Sequence, residues 1–384
     1  MGEEEYRECV DDIFENFRRY DQYVDVVSSW EHFLTEQYDH NDMFHFDRFP
    51  AYFPDDSNTP LEPSFSVLFN KDYGIVFDVN QKLPSVETQF ESRLTELEQY
   101  DQDLQFHAGN GDRVAPSKHD IALLINGDNF QTEKLRVRNA LDESQLDVES
   151  NLVLLSYQYI DQDTNPKYQF QRASMVGDNF GDDALPDSLQ MSTRMSMEGG
   201  TFKNIDIPAE VFYDRKATGV LFNSEPPPLY LACYIWHTVL YDLLDDDQRI
   251  VWQRRDPTKI LDLVVNVSDL TERLNRDYIP DGGVHEDWVD NTLEYMCVAE
   301  TADKIADGEY YVKFRNLRDK RREYNDTLSD RSEHSDLAHL FAEWHCENTV
   351  EMESGELQEL VKADTSNGPD EPREDLTQPE LGEF

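Results

Sequence analysis

The amino-acid sequence predicts an α/β protein, and three observations carry that prediction. "IVFDVNQK" (75–82) alternates as a strand does: Ile75, Phe77 and Val79 share one face, while Val76, Asp78, Asn80 and Lys82 share the other. "IALLI" (121–125) is a continuous apolar run, which suits a central strand covered on both faces. Helical stripes stand between such segments, as where Val86, Phe90, Leu94 and Leu97 recur at steps of three and four.

Taken in order, "VDVVSSWEHFLTEQY" (24–38) has Val26 or Val27, Trp30, Phe33 or Leu34 at helical spacing. "SFSVLF" (64–69) reads as a strand, and the turn "NKDYG" joins it to the alternating strand. The helical stripe, the apolar strand and a further strand at 152–160 follow. "GDNFGDDALPDS" is loop, and a triple-proline turn introduces a buried helix over 229–244, since proline is tolerated in a first helical turn. The expected domains are 1–165, a connecting α/β segment over 166–254, a third unit over 255–346, and an acidic tail over 347–384 without periodicity.

The chain has 384 residues and a formal net charge of −47, with Asp and Glu outnumbering Lys and Arg by 81 to 34. The acids run through periodic segments as well as the tail, so folded regions carry them. Self-repulsion of this size destabilises a compact state in dilute buffer. At molar salt the screening length falls to about 3 Å, which removes most of it. The composition resembles that of haloarchaeal proteins, of a cell or a virus. Disorder throughout is excluded by 38% hydrophobic and 12% aromatic content. No secretory signal is visible, and the most apolar stretch, 229–244, is short for a bilayer and carries His237 and Asp242. The expected location is cytoplasmic, or the virion for a viral protein, with no membrane partner. Cys9, Cys233, Cys297 and Cys346 form no CxxC pair and are expected to be free thiols.

The order helix, hairpin with an acidic strand, helix, apolar strand resembles the core of the restriction-endonuclease-like, PD-(D/E)XK, superfamily over residues 24–160. That resemblance implies a mixed sheet, carboxylates that bind Mg²⁺, and a lysine that orients the attacking water. Residues i and i+2 on a strand share a face, so the motif brings two side chains to one phosphate. Here "PSFSVLF" puts Ser64 at the metal-ligand position. Asp78 stands at the acidic position, and Asn80 stands where the lysine belongs. An active enzyme would need Asp78 and Lys82 as catalytic groups, with Asp78, Glu31 and Glu36 holding the metal. "LEQYDQDL" (97–104) resembles the Gln- and Tyr-bearing helix of the same family.

Residues 258–317 resemble a winged helix. "TKILDLVVN" is expected as its first helix, and "SDLTERLNRDY" as its second with Ser268 as N-cap. "VHEDWVDNTLEYM" is the third, with Val289, Thr292, Leu293 and Met296 inward. A "DG" turn closes a two-stranded wing. The third helix exposes Glu286, Asp287, Asp290 and Glu294, which repel phosphate. Lys313, Arg315, Arg318, Lys320, Arg321 and Arg322 form the basic run of the chain. They either contact a nucleic-acid backbone or pair with neighbouring acids. His334, His339, His345 and Cys346 sit at offsets that scatter them around a helix, so no metal set is expected there.

The expected function is binding of nucleic acid or nucleoprotein by a salt-adapted protein whose nuclease-like domain is inactive. A divergent Mg²⁺-dependent DNA endonuclease and a structural protein of a halophilic virus are the alternatives. Candidate partners are DNA and protein. No cofactor is expected unless the nuclease-like site is active, and then Mg²⁺.

Overall fold

A computed structural model describes residues 3–38, 44–53, 60–109, 111–148, 150–160, 167–173, 195–198, 201–208, 221–254, 259–279, 283–315, 317 and 337–349. The chain is mixed α/β. It opens with one long helix, α1 (Glu3–Tyr38). Val10, Phe14, Phe17, Val24, Val27 and Leu34 are all buried at helical steps along it. The helix therefore begins well before residue 24. Its first turns carry a narrow apolar stripe among acids, too sparse to stand out in the sequence.

Strands β1 (Phe44–Asp47), β2 (Phe65–Phe69) and β3 (Tyr73–Asn80) form an antiparallel meander. Helix α2 (Glu87–Tyr100), the short β4 (Phe106–His107) and β5 (Arg113–Val114), and β6 (Lys118–Asn126) follow. β6 lies parallel beside β3. Helix α3 (Phe130–Asp142) then leads to β7 (Asn151–Ile160), parallel to β6. The sheet continues antiparallel through β8 (Lys167–Arg172) and β10 (Thr201–Pro208) to β9 (Met195–Glu198), in the order β1-β2-β3-β6-β7-β8-β10-β9. One sheet thus crosses the domain boundary expected at residue 165.

The sheet separates two cores. On one face Ile75, Phe77, Ala122 and Leu124 meet Trp30, Phe33 and Leu34 of α1, with the Trp30 and Phe77 rings 5.1 Å apart. On the other, Val76, Ile121, Leu123 and Ile125 meet Phe90, Leu94 and Leu97 of α2 and Val137 of α3. Both faces of β3 are buried through Asp78. Val86 is 53% exposed and lies outside the stripe it was expected to start, as the N-cap of α2. Gly74 is required on β3, because a Cβ there would stand 2.5 Å from the Phe106 ring. At the strand ends, Gln22 of α1 accepts hydrogen bonds from Gln81 and, at 3.4 Å, from Asn126 Nδ2.

The buried helix expected over 229–244 is present. It is α4 (Pro228–Tyr234), a wider π turn over Ile235–Val239 and a tighter turn over Leu240–Leu243. Helix α5 (Asp246–Gln253) follows, capped reciprocally by Asp245 and Gln248.

The expected first helix over 258–266 is instead the strand β11 (Leu261–Asn266). Leu261, Leu263 and Val265 point inward while Asp262 and Val264 point out, so the period is two, as suits its β-branched residues. Helix α6 (Val267–Arg273) starts two residues earlier than the expected Ser268 cap allows. Its cap is Asn266, which accepts from the N–H groups of Ser268 and Asp269 at 3.0 and 3.2 Å. Helix α7 (Glu286–Val298) buries Val289, Thr292, Leu293 and Met296 as expected. β12 (Ala302–Ala306) and β13 (Glu309–Phe314) form the expected hairpin, turning at Gly308 with φ +69°. The small sheet is ordered β11-β13-β12.

A last helix, α8 (337–349), packs beside the first turns of α1. Cys9 and Cys346 are joined there as a disulfide, contrary to the free thiols expected. Cys233 and Cys297 are in no disulfide. The sequence separation of 337 hides the pair from any spacing rule. Residues 350–384, most of the expected tail, lie outside the described residues. Among the described residues no helix is long and apolar enough to cross a membrane.

Candidate functional site

The alternation of β3 aims Asp78 at α2, on the face opposite α1. Its side chain is 7% exposed and that of Arg93, on α2, is 16% exposed. Arg93 Nη2 pairs with Asp78 Oδ2, and Asn80 Nδ2 donates to the same oxygen at 2.8 Å. Arg93 Nη1 pairs with Glu96, and the Tyr100 hydroxyl donates to Glu96 Oε1 at 2.8 Å. Burial pushes the Tyr100 phenol well above its ordinary range, so it stays a proton donor. The guanidinium thus bridges two carboxylates in a largely dry setting, where charge-assisted hydrogen bonds are strong.

Ser64 is buried and structural. Its hydroxyl accepts from the Val79 N–H at 2.9 Å, and its carbonyl accepts from the Tyr23 hydroxyl at 3.3 Å. Lys82 stands beyond the last residue of β3 and is exposed. No hydrogen bond or ion pair ties it to Asp78. Glu31 Oε1 accepts from Arg48 Nη2 at 2.6 Å, and Glu36 lies 3.7 Å from His32 Nε2. Both glutamates belong to α1, so the sheet stands between them and Asp78. The structure does not bring the predicted metal set together.

Mg²⁺ takes charged oxygen ligands and near-octahedral geometry. Asp78 Oδ2 already serves Arg93 and Asn80, and the Arg93 guanidinium sets a positive charge against the carboxylate. Among the described residues no group of three or more His, Cys, Asp or Glu has a metal-holding arrangement. These residues do not fit Mg²⁺.

The basic set is also engaged where it is described. Lys313 Nζ donates to Asp303 Oδ1 at 3.0 Å, and the Arg315 guanidinium lies 5.1 Å from the Trp344 ring centroid. Arg318, Lys320, Arg321 and Arg322 lie outside the described residues. On α7, Glu286, Asp287 and Glu294 are exposed, and Asp290 accepts from the Tyr310 hydroxyl at 2.7 Å. Glu294 accepts from Lys304 at 2.9 Å. A cavity of about 320 Å³ between the starts of α6 and α7 is lined by Ser268, Glu286, Asp287 and Asp290. Its charge excludes phosphate and suits a cationic side chain.

Reading the sequence did not find Arg93 as the partner of Asp78, nor Glu96 and Tyr100 as the groups that extend that pair. A signal existed: Arg93, Glu96 and Tyr100 recur at steps of three and four, beside the apolar stripe of α2. No protein-family model, no curated protein and no solved structure matches this chain.

Proposed function

We propose that this chain is a salt-adapted, non-catalytic binding protein on a nuclease-like frame, which engages nucleoprotein through its protein component. The observation that carries this reading is the Asp78–Arg93 ion pair, which occupies the carboxylate a nuclease would give to metal. The order of α1, the β1–β3 meander, α2 and parallel β6 supports the restriction-endonuclease-like frame. The sequence α5, β11, α6, α7, β12, β13 with sheet order β11-β13-β12 supports a winged-helix unit.

The acidic face of α7 and the pairing of Lys304 and Lys313 favour a basic protein surface over a phosphate backbone. High salt argues the same way, because phosphate affinity built on counterion release falls steeply as salt rises.

The test is a plasmid-nicking assay with the purified chain in molar KCl, with Mg²⁺ and with Mn²⁺, beside a mobility-shift titration with duplex DNA. No nicking and no shift are expected. Metal-dependent nicking lost in Asp78→Ala would replace this reading with the endonuclease. A DNA shift without nicking, weakened by Arg318→Ala with Arg321→Ala, would replace the protein partner with DNA.

A further inference from the structure

The first turns of α1 and the whole of α8 lean on each other. Tyr6, Cys9, Val10 and Phe14 form the inward stripe of α1 before residue 17. The Phe14 ring stands 5.4 Å from that of His339 on α8, and Cys9 is bonded to Cys346. Burial raises the Tyr6 phenol, and the carboxylates of Glu343 and Glu347 raise it further, which places both α8 acids close to α1. From Phe17 onward α1 meets α4 instead, with the Phe17 and Tyr230 rings 5.3 Å apart.

Helix α8 in turn covers an aromatic face. Phe341 packs edge-on against Trp236 at 5.2 Å, and His345 stacks on Tyr295 at 4.3 Å. The Tyr295 hydroxyl donates to the Phe341 carbonyl at 3.2 Å.

Like charges oppose this packing. Glu4, Glu5, Glu8, Asp11 and Asp12 line the outer faces of the α1 turns, and α8 adds Glu343 and Glu347. The nearby arginines are Arg7, Arg18 and Arg19 on α1 and Arg315, whose guanidinium lies over the Trp344 ring of α8. Arg18 lies over the Phe14 ring, and His339 Nδ1 is 3.6 Å from Glu343. The covalent bond therefore holds together two acidic helices whose mutual repulsion grows as salt falls.

We infer that Cys9 and Cys346 form a thiol–disulfide latch that sets whether α8 stays docked over Trp236 and Tyr295. Cys346 is fully buried, while Cys9 is partly exposed. An external dithiol therefore attacks as its thiolate at Cys9 Sγ. The Cys9–Cys346 bond breaks, and Cys346 leaves as a thiolate that takes up a proton. The second thiol of the reductant then displaces Cys9, which is also protonated. Two electrons and two protons pass to the protein, and the dithiol becomes a disulfide. The other cysteines do not compete. Cys233 is fully buried, and burial with Asp303 and Glu294 pushes the Cys297 thiol up to about 11, which holds it protonated.

The test uses the full chain with dithiothreitol as reductant, in molar KCl and at tenfold lower KCl. Iodoacetamide under denaturing, non-reducing conditions should label two cysteines before reduction and four after. Hydrogen exchange followed by mass spectrometry should rise at least tenfold over 3–16 and 337–349 on reduction at the lower salt, and less in molar KCl. Exchange over 121–125 should not change. Cys9→Ser should show the reduced pattern without reductant. Four labelled cysteines before reduction would overturn the latch, as would unchanged exchange over 337–349. Loss of protection over 121–125 as well would make the bond a staple of the whole fold and overturn it too.

Discussion

Arg93 on α2 reaches across to Asp78 on β3 and neutralises it. Removing one member of a buried pair strands the other, which costs about 3 kcal/mol. Arg93→Ala should therefore lower stability by about that amount in denaturant titrations at fixed KCl. It should not create a metal site, because Glu31 and Glu36 remain behind the sheet. Millimolar Mn²⁺ should leave the melting temperature of Arg93→Ala unchanged. A metal-dependent rise would mean that Arg93 alone blocks the ion.

Gly74 packs its bare Cα against the Phe106 ring. Gly74→Ala places a methyl group 2.5 Å from that ring, so overpacking should cost about 1–3 kcal/mol. Phe106→Leu in the same chain should recover part of the loss. A double-mutant cycle measures the coupling, and additive losses would refute the proposed contact.

His345 supplies a pH prediction. Burial lowers its pKa below the ordinary value of 6.5, outweighing a backbone hydrogen bond that acts the other way. The unfolded chain then binds a proton that the folded chain refuses. Stability from this group is present above about pH 6.5 and is lost as pH falls towards the folded pKa. His345→Phe keeps the ring on Tyr295 and removes the titration. The difference in stability between wild type and variant should change between pH 7.5 and pH 5.5 in favour of the variant, by urea titration at constant KCl.

Net charge supplies a fourth. Raising KCl from about 0.1 M to about 1 M shortens the screening length from about 10 Å to about 3 Å. The urea midpoint should rise across that range, with no change in the denaturant slope. A flat response would show that the 81 acids do not destabilise the compact state.

Much of the frame was legible because its signals are local. The alternation of 75–79, the apolar run of 121–125 and the stripe of α7 each encode a face within a few residues. β11 was misread because Ile260, Leu261, Leu263 and Val264 also fit a helical step, whereas only tertiary contact selects the period of two. The candidate site was half legible. Alternation puts Asp78 and Asn80 on one face, but a single strand does not tell which layer covers that face. Only the assembled sheet shows α2 there, with Arg93, and α1 with its glutamates on the far side. The Cys9–Cys346 bond is the extreme case, a contact made by the two ends of the described chain.

Helix α1 is continuous over 36 residues, roughly 54 Å of rod at the usual rise. Its first turns rest on α8, its middle meets the strand ends through Gln22, and its far half lies against the sheet. A rod has no joint in which to absorb displacement. Tilting it at Cys9 would therefore act as a lever about 20 Å from Gln22, moving the contacts with Gln81 and Asn126. The N-terminal helix makes the two ends of the molecule mechanically one part.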